Sequence, residues 1–448
     1  MNEKTDNNGA DVTAGIGTVL VSIMLLLSFS TGHAADAAAP KLSLPEGLRI
    51  AAEENRVLKI AEFSRGMAEQ DINTALSRYF PSVNATAGYT MLSTQPGMNT
   101  IFMPIRTSEK AYPAYGVSFH QTIFDFFARE SMYRASKESL ELTARDIFRT
   151  KNLVALEFVN AFFTLLEADK LLAVGQKEVK AIESHAEMAK NHYEAGAITK
   201  NDLLQAEVKL SDARQRLLTL KNSRAYHASV INRILTRPLN RKLLLAEPAG
   251  ETPPLPPLKA VWESAINNRP EVRMADYEIS INELKEDAKK AEFLPSFFAE
   301  GGYSYSRNRY MINDDNWSVV FGLKFNLFSG GATWAELSKL KIRTEQLREQ
   351  RRRIADELKL EAERYYLDQK SAEENIAVTR EAVRQATENL RINTVRYEEG
   401  AGTATDVLDA IALLTLAEKN HYRAAYDLKR AHAGLLYATG QDLMAAYK

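Results

Sequence analysis

The sequence predicts an elongated, mainly α architecture built as two similar halves. Each half contributes two short β-strands, one long helix and two half-length coiled-coil helices. Three observations carry this: an internal repeat, two very long stretches free of helix breakers, and four short runs of strict apolar–polar alternation.

The repeat comes first because it fixes the order of everything else. "HYEAGAITKNDLLQA" (residues 192–206) and "RYEEGAGTATDVLDA" (residues 396–410) agree at eight of fifteen positions with a separation of 204. "YFPSVNATAGYT", from Tyr79, returns as "FLPSFFAEGGYS", from Phe293, at a separation of 214. "TIF" at Thr122 answers "NLF" at Asn326, back at 204, so the first copy holds ten extra residues between Tyr89 and Phe124. "GETPPLPP" (residues 250–257) reads as an extended linker. The expected organisation is a first repeat over 35–237, a proline-rich linker over 238–257 and a second repeat over 258–448.

The four alternating runs are strands expected at about 82–91, 115–125, 297–306 and 316–328. In "NWSVVFGLKFNLF" the odd positions Trp317, Val319, Phe321, Leu323, Phe325 and Leu327 oppose Asn316, Ser318, Val320, Gly322, Lys324 and Asn326. Each run is about the ten residues that a tilted strand needs to cross a bilayer, although alternation alone fits a soluble half-buried sheet equally well.

The helices follow from what is missing. No proline lies between Pro113 and Pro238 or after Pro295, and no glycine lies between Trp334 and Glu399. Two helices of roughly 65 residues, each reaching about 100 Å, are expected. Phe158, Leu165, Leu172 and Val179 recur every seven residues, as do Ile376, Val383, Leu390 and Tyr397, which marks a coiled-coil seam. Half-length helices are expected over 44–79 and 199–235, then over 258–293 and 403–437. Four membrane strands cannot close a barrel, whose smallest single-chain forms have about eight, so a membrane sheet requires several chains.

Composition narrows the function classes. Lys and Arg number 57 against 58 Asp and Glu, which gives no basic excess for nucleic acid. The absence of cysteine excludes disulfides, thiolate metal sites and a lipid-bearing N-terminal Cys. The seven histidines are scattered; His185 and His192 share a helix face, read as a solvated face rather than a metal pair. No phosphate loop, zinc motif or nucleophile elbow occurs, so neither an enzyme nor a cofactor is expected. Residues 1–34 read as a signal peptide: an apolar run at 16–29 precedes Gly32 and Ala34, small residues suited to cleavage. Its leading segment is unusually acidic, so an early start assignment or a membrane anchor stays open.

The ordered set of tandem halves, Pro-Ser strand entries ("FPSV", "LPSF"), aromatic strand exits ("TIFD", "NLFS") and Tyr-x-x-Gly turns resembles the TolC family of outer-membrane efflux channels over essentially the whole mature chain. The resemblance implies a homotrimer with a 12-stranded β-barrel in outer-membrane lipid and a 12-helix periplasmic tunnel. It implies an exit duct for efflux or type I secretion, joined through a periplasmic adaptor to an inner-membrane RND or ABC pump. A periplasmic coiled-coil scaffold or adaptor with a soluble sheet is the competing reading.

The resemblance also assigns roles at the two repeated turns, residues 193–201 and 397–405. Gly196, Ala197 and Thr199, with Gly400, Ala401 and Thr403, would dock the adaptor. Asp406 and Asp409 would ring the pore constriction; helix capping is their other reading. Gln205 occupies the first-copy place of Asp409, so only the second copy would supply the ring. Asp202 and Tyr397 would latch the closed tip. The family's arginine two residues past the second turn glycine is here Gly402, which implies a more weakly locked entrance, with Lys200 as the candidate cation near Asp202.

Overall fold

The computed structural model describes residues 41–448 apart from Ala249 and Glu251, so the expected signal peptide lies outside the described residues. The first copy runs α1 (Leu44–Glu54), α2 (Arg56–Ser77), β1 (Ser82–Met91), a small hairpin β2 (Gly97–Asn99) and β3 (Pro104–Arg106), β4 (Ala111–Phe124), α3 (Ala128–Glu194) and α4 (Lys200–Ile234). The second runs α5 (Leu258–Asn268), α6 (Pro270–Ala291), β5 (Ser296–Ser306), β6 (Asp315–Lys324), α7 (Ala332–Glu398) and α8 (Ala404–Ala438), with a closing turn of helix α9 (Leu443–Ala446). Helices α3 and α7 have 67 residues each, roughly 100 Å at the α-helical rise. Their bounds differ by the 204 residues read from the turn motif, and those of α1 and α5 by 214.

Several boundaries depart from expectation. Each first half-length helix is split in two. Asn55 leaves the helix at ψ 129 and its side chain caps Val57 N–H at 2.8 Å, while Arg269 leaves at ψ 130 because Pro270 cannot continue the preceding turn. The breaks serve as docking points. Asn55 Nδ2 donates to Ile234 O at 2.9 Å, and Arg269 Nη1 donates to Tyr437 O at 3.3 Å, so each break holds the end of α4 or α8. Strand β6 stops at Lys324 rather than 328, since its last partner is Ser296 and the next residue on β5's side is Pro295, which has no N–H to offer. Strand β4 begins at Ala111, earlier than expected, because its pairing with β1 runs through Pro113 while pairing with β5 starts only at Ala114.

The four long strands form one antiparallel sheet in the order β1-β4-β5-β6. Register puts Ala85, Val117, Tyr303 and Trp317 in one row, and Asn84, Ser118, Gly302 and Ser318 in the next. One face is therefore apolar and the other polar. The apolar face is bare in the single chain: Trp317 is 74% exposed and Phe321 79%.

Side by side, the helices run α2-α3-α6-α7 near the sheet and α4-α3-α8-α7 beyond the breaks. The main core sits at the breaks, around the fully buried Phe158, Phe162 and Phe163 of α3. There the copies solve one packing problem with opposite sizes. A Cβ on Gly47 would lie 2.1 Å from Phe158 Cζ; the equivalent pair in the second copy is Val261 and Ala362, both buried. The inverse holds for Gly434, whose added Cβ would lie 2.2 Å from Tyr365, against Val230 and Ala161 in the first copy. In the seam beyond, Ala189, Ala206 and Ala213 are wholly buried and let α3 and α4 approach closely.

Candidate functional site at the helical tip

Both repeated turns are built the same way. Gly196 and Gly400 take left-handed φ of 73° and 72°, where a side chain would be strained. Ala197 N–H donates to His192 O, and Ala401 N–H to Arg396 O, each at 2.8 Å; these bonds close the ends of α3 and α7. Thr199 and Thr403 then cap the following helices. Asp202 N–H donates to Thr199 Oγ1 at 3.4 Å, while Thr199 N–H and Oγ1–H donate to Asp202 Oδ2 at 3.1 and 2.8 Å. Thr403 N–H donates to Asp406 Oδ2 at 3.0 Å, and Asp406 N–H to Thr403 Oγ1 at 3.2 Å. Both turns thus carry complete capping boxes.

Asp406 therefore does cap a helix, and it still faces solvent, as does Asp409 one turn on. The backbone and then the hydroxyl of Thr403, with the positive charge of Arg396, hold the Asp406 carboxyl below its ordinary range. Arg396 also donates to Ala401 O at 3.2 Å. It is thus a cation of the second turn that the sequence reading missed, and its place in the last turn of a helix was the available signal. Lys200 is in no ion pair among the described residues. Gln205 accepts from Thr405 Oγ1 at 3.4 Å, which brings the starts of α4 and α8 together. The six expected docking residues Gly196, Ala197, Thr199, Gly400, Ala401 and Thr403 are all exposed.

Behind this surface lies a core drawn from all four helices, including Ile182 of α3, Ala213 of α4, Tyr397 of α7 and Val407, Leu408 and Ile411 of α8. His185, expected on a solvated face, is instead buried at 4% exposure. The reason is Tyr397, whose ring stacks on His192 (5.4 Å between centroids, 22° between planes) and tilts against His185 at 5.1 Å. Burial, then the nearby His192, pushes the His185 imidazole below its ordinary pKa. Burial, then the charge of Asp202, pushes the Tyr397 phenol up. Asp202 and Tyr397 are thus near one another, but no hydrogen bond joins them: Tyr397 Oη and His185 Nε2 are both buried without a partner.

Among the described residues no group of three or more His, Asp and Glu could hold a metal, and no helix is long and apolar enough to cross a membrane. A sheet with one bare apolar face, one polar face and two unpaired edges, carried on paired helices of about 100 Å, is one segment of an outer-membrane barrel continued by a helical tunnel. The chain belongs to the outer membrane efflux protein family, which it matches over residues 47–235 and 261–441, one stretch in each repeat. It is 23% identical to Nodulation protein T of Rhizobium leguminosarum bv. trifolii over 69% of this chain and 68% of that protein. It is 22% identical to Outer membrane protein TolC of Vibrio cholerae over 88% of this chain and 90% of that protein. The crystal structure of the Campylobacter jejuni CmeC outer membrane channel shares the fold, with a TM-score of 0.76 at 15% identity over 89% of this chain and 85% of that one. The outer-membrane location of the family sets aside the soluble scaffold.

Proposed function

We propose that three copies of this chain close into a duct that carries substrates, by efflux or type I secretion, from an inner-membrane RND or ABC pump across the periplasm and outer membrane. The observation that carries the closure is the agreement between open edges. The sheet ends in β1 on one side and β6 on the other; the helical layer ends in α2 and α4 on one side and α7 on the other. First-copy elements thus form one edge and second-copy elements form the other. Both edges carry exposed apolar side chains, Ile60 and Phe63 on α2 and Val208 on α4 against Ile342, Leu360 and Val378 on α7. Head-to-tail joining of such edges generates a ring.

In this reading the exposed turn residues Gly196, Ala197, Thr199, Gly400, Ala401 and Thr403 receive a periplasmic adaptor protein. Asp406 and Asp409, repeated around the axis, ring the entrance with carboxylates that favour cations and resist further closure. Asp202 and Tyr397 form the latch: Asp202 engages Thr199 through Oδ2 only, which leaves Oδ1 to accept the phenol. Gly402 in place of an arginine leaves the entrance more weakly locked, and a side chain there would need a shift of its surroundings, with an added Cβ 3.2 Å from Tyr397 N. The test is planar-bilayer conductance of the purified protein beside the Asp406→Ala/Asp409→Ala variant. A small cation-preferring conductance that rises in the variant is expected. Channels indifferent to the substitution would leave Asp406 to its capping box and Asp409, which caps nothing, as an exposed helix carboxylate, and folded, inserted protein without channels would end the duct reading.

A further inference from the structure

Away from the tip, the polar face of the sheet holds a second charged feature. Register places Ser82, His120, Glu300 and Val320 in one row across the four strands. His120 and Glu300 are the only His, Asp, Glu, Lys or Arg within these strands, apart from Asp315 and Lys324 at the two ends of β6. His120 Nδ1 lies 3.6 Å from Glu300 Oε2, and each side chain is 51% exposed.

The pair is held in place. The imidazole stacks on Phe298 (5.7 Å, 26°), and Phe298 in turn lies over Gly322, where an added Cβ would come within 2.3 Å of the ring. The next row toward the outer end is Asn84, Ser118, Gly302 and Ser318, while the opposite face carries Trp317 and Phe321. Lipid covers the apolar face of a membrane barrel, so His120 and Glu300 look into the lumen.

We propose that His120 and Glu300 form a titratable selectivity ring in the barrel lumen, one pair from each chain. With a neutral imidazole the row carries one negative charge per chain and favours cations; with a protonated imidazole the row is neutral and the preference falls. Of the neighbouring strands, β1 presents only Ser82 to this row and β5 presents Glu300. On the same face of β6 the nearest charge is Lys324, two rows away at the strand end and opposite Ser296. The inference rests on the duct reading, and the experiment separates the two.

Reversal potentials across a salt gradient would be measured with the full-length protein in planar bilayers, in the Asp406→Ala/Asp409→Ala background so that the tip carboxylates do not set the selectivity. Readings would be taken at about pH 8 and about pH 5.5. The cation-to-anion permeability ratio is expected to fall by about twofold or more on acidification. His120→Gln keeps the high ratio at both pH values; Glu300→Gln has the low ratio already at the higher pH. Oligomer stability in detergent checks that both variants assemble. An acid step that survives in His120→Gln, or a ratio that Glu300→Gln leaves unchanged, overturns the proposal while the duct stands. Absence of channels in every variant overturns both.

Discussion

The opposite sizes of Gly47/Phe158 and Val261/Ala362 make a quantitative prediction about the core at the helix breaks. Phe158 is wholly buried, so Phe158→Ala removes its contacts and leaves a cavity, at a cost of about 3–5 kcal/mol. Gly47→Val forces atoms into the ring, because even its Cβ would stand 2.1 Å from Phe158 Cζ; overpacking of this kind costs about 1–3 kcal/mol. Were the sites independent, the double variant would lose the sum, about 4–8 kcal/mol. The double variant instead recreates the pairing that the second copy already uses, with the valine filling the space the ring vacated. The expected coupling is therefore favourable by about 1–3 kcal/mol. Denaturant unfolding of the detergent-solubilised protein, followed by far-UV circular dichroism at fixed protein concentration, measures the cycle. A double variant as damaged as the sum of the singles would refute the argument that the two copies exchange volume at this site.

The tip supports three further predictions. Asp406→Asn removes charge yet keeps an oxygen that can accept from Thr403, so it should raise resting conductance as much as Asp406→Ala does, and Asp409→Ala should act in the same direction; a rise confined to Asp406→Ala would assign Asp406 to the cap. Tyr397→Phe deletes only the phenol oxygen and should raise resting conductance if that oxygen is the latch; an unchanged or lower conductance would show that it is merely an unpaired buried group. The depressed pKa of His185 makes the tip sensitive to acid. Just below the ordinary imidazole value of about 6.5 the opened tip binds more protons than the packed one, so packing is fully stable above that value and weakens as pH falls toward the folded-state value. Protease cleavage between α3 and α4 should therefore accelerate on acidification in the native protein and become pH-insensitive in His185→Phe; an equal acid response in the variant would exclude His185 as the cause.

Much of this molecule is legible in one dimension. Alternation at Val319, Phe321 and Leu323 marked a strand because adjacent side chains on a strand point to opposite faces. The turn spacing of 204 residues reproduced the separation of α3 from α7 to the residue, because a duplicated fold keeps its loop lengths. Pro270 lies inside the stretch 258–293 expected as one helix, and the chain breaks there because proline cannot continue the preceding turn. The Thr-x-x-Asp spacing of both turns, expected only as a docking surface and an aspartate at a helix start, closes as a capping box in each.

What stayed hidden depends on partners far along the chain. The spacing of His185 and His192 defines a helix face but not what covers it, and the ring that buries His185 arrives from Tyr397, 212 residues later. Likewise Gly47 explains itself only against Phe158, and His120 only against Glu300, which the register of β4 on β5 sets beside it. Local periodicity and backbone stereochemistry make the duplication, the four long strands and the two long helices readable in one dimension, whereas the splits at Asn55 and Arg269, the β2–β3 hairpin and α9 were not among the expected elements. Burial, register and the pairing of charges belong to contacts between distant segments, so it is the packing of the folded chain that sets which titratable groups meet at the tip and in the sheet.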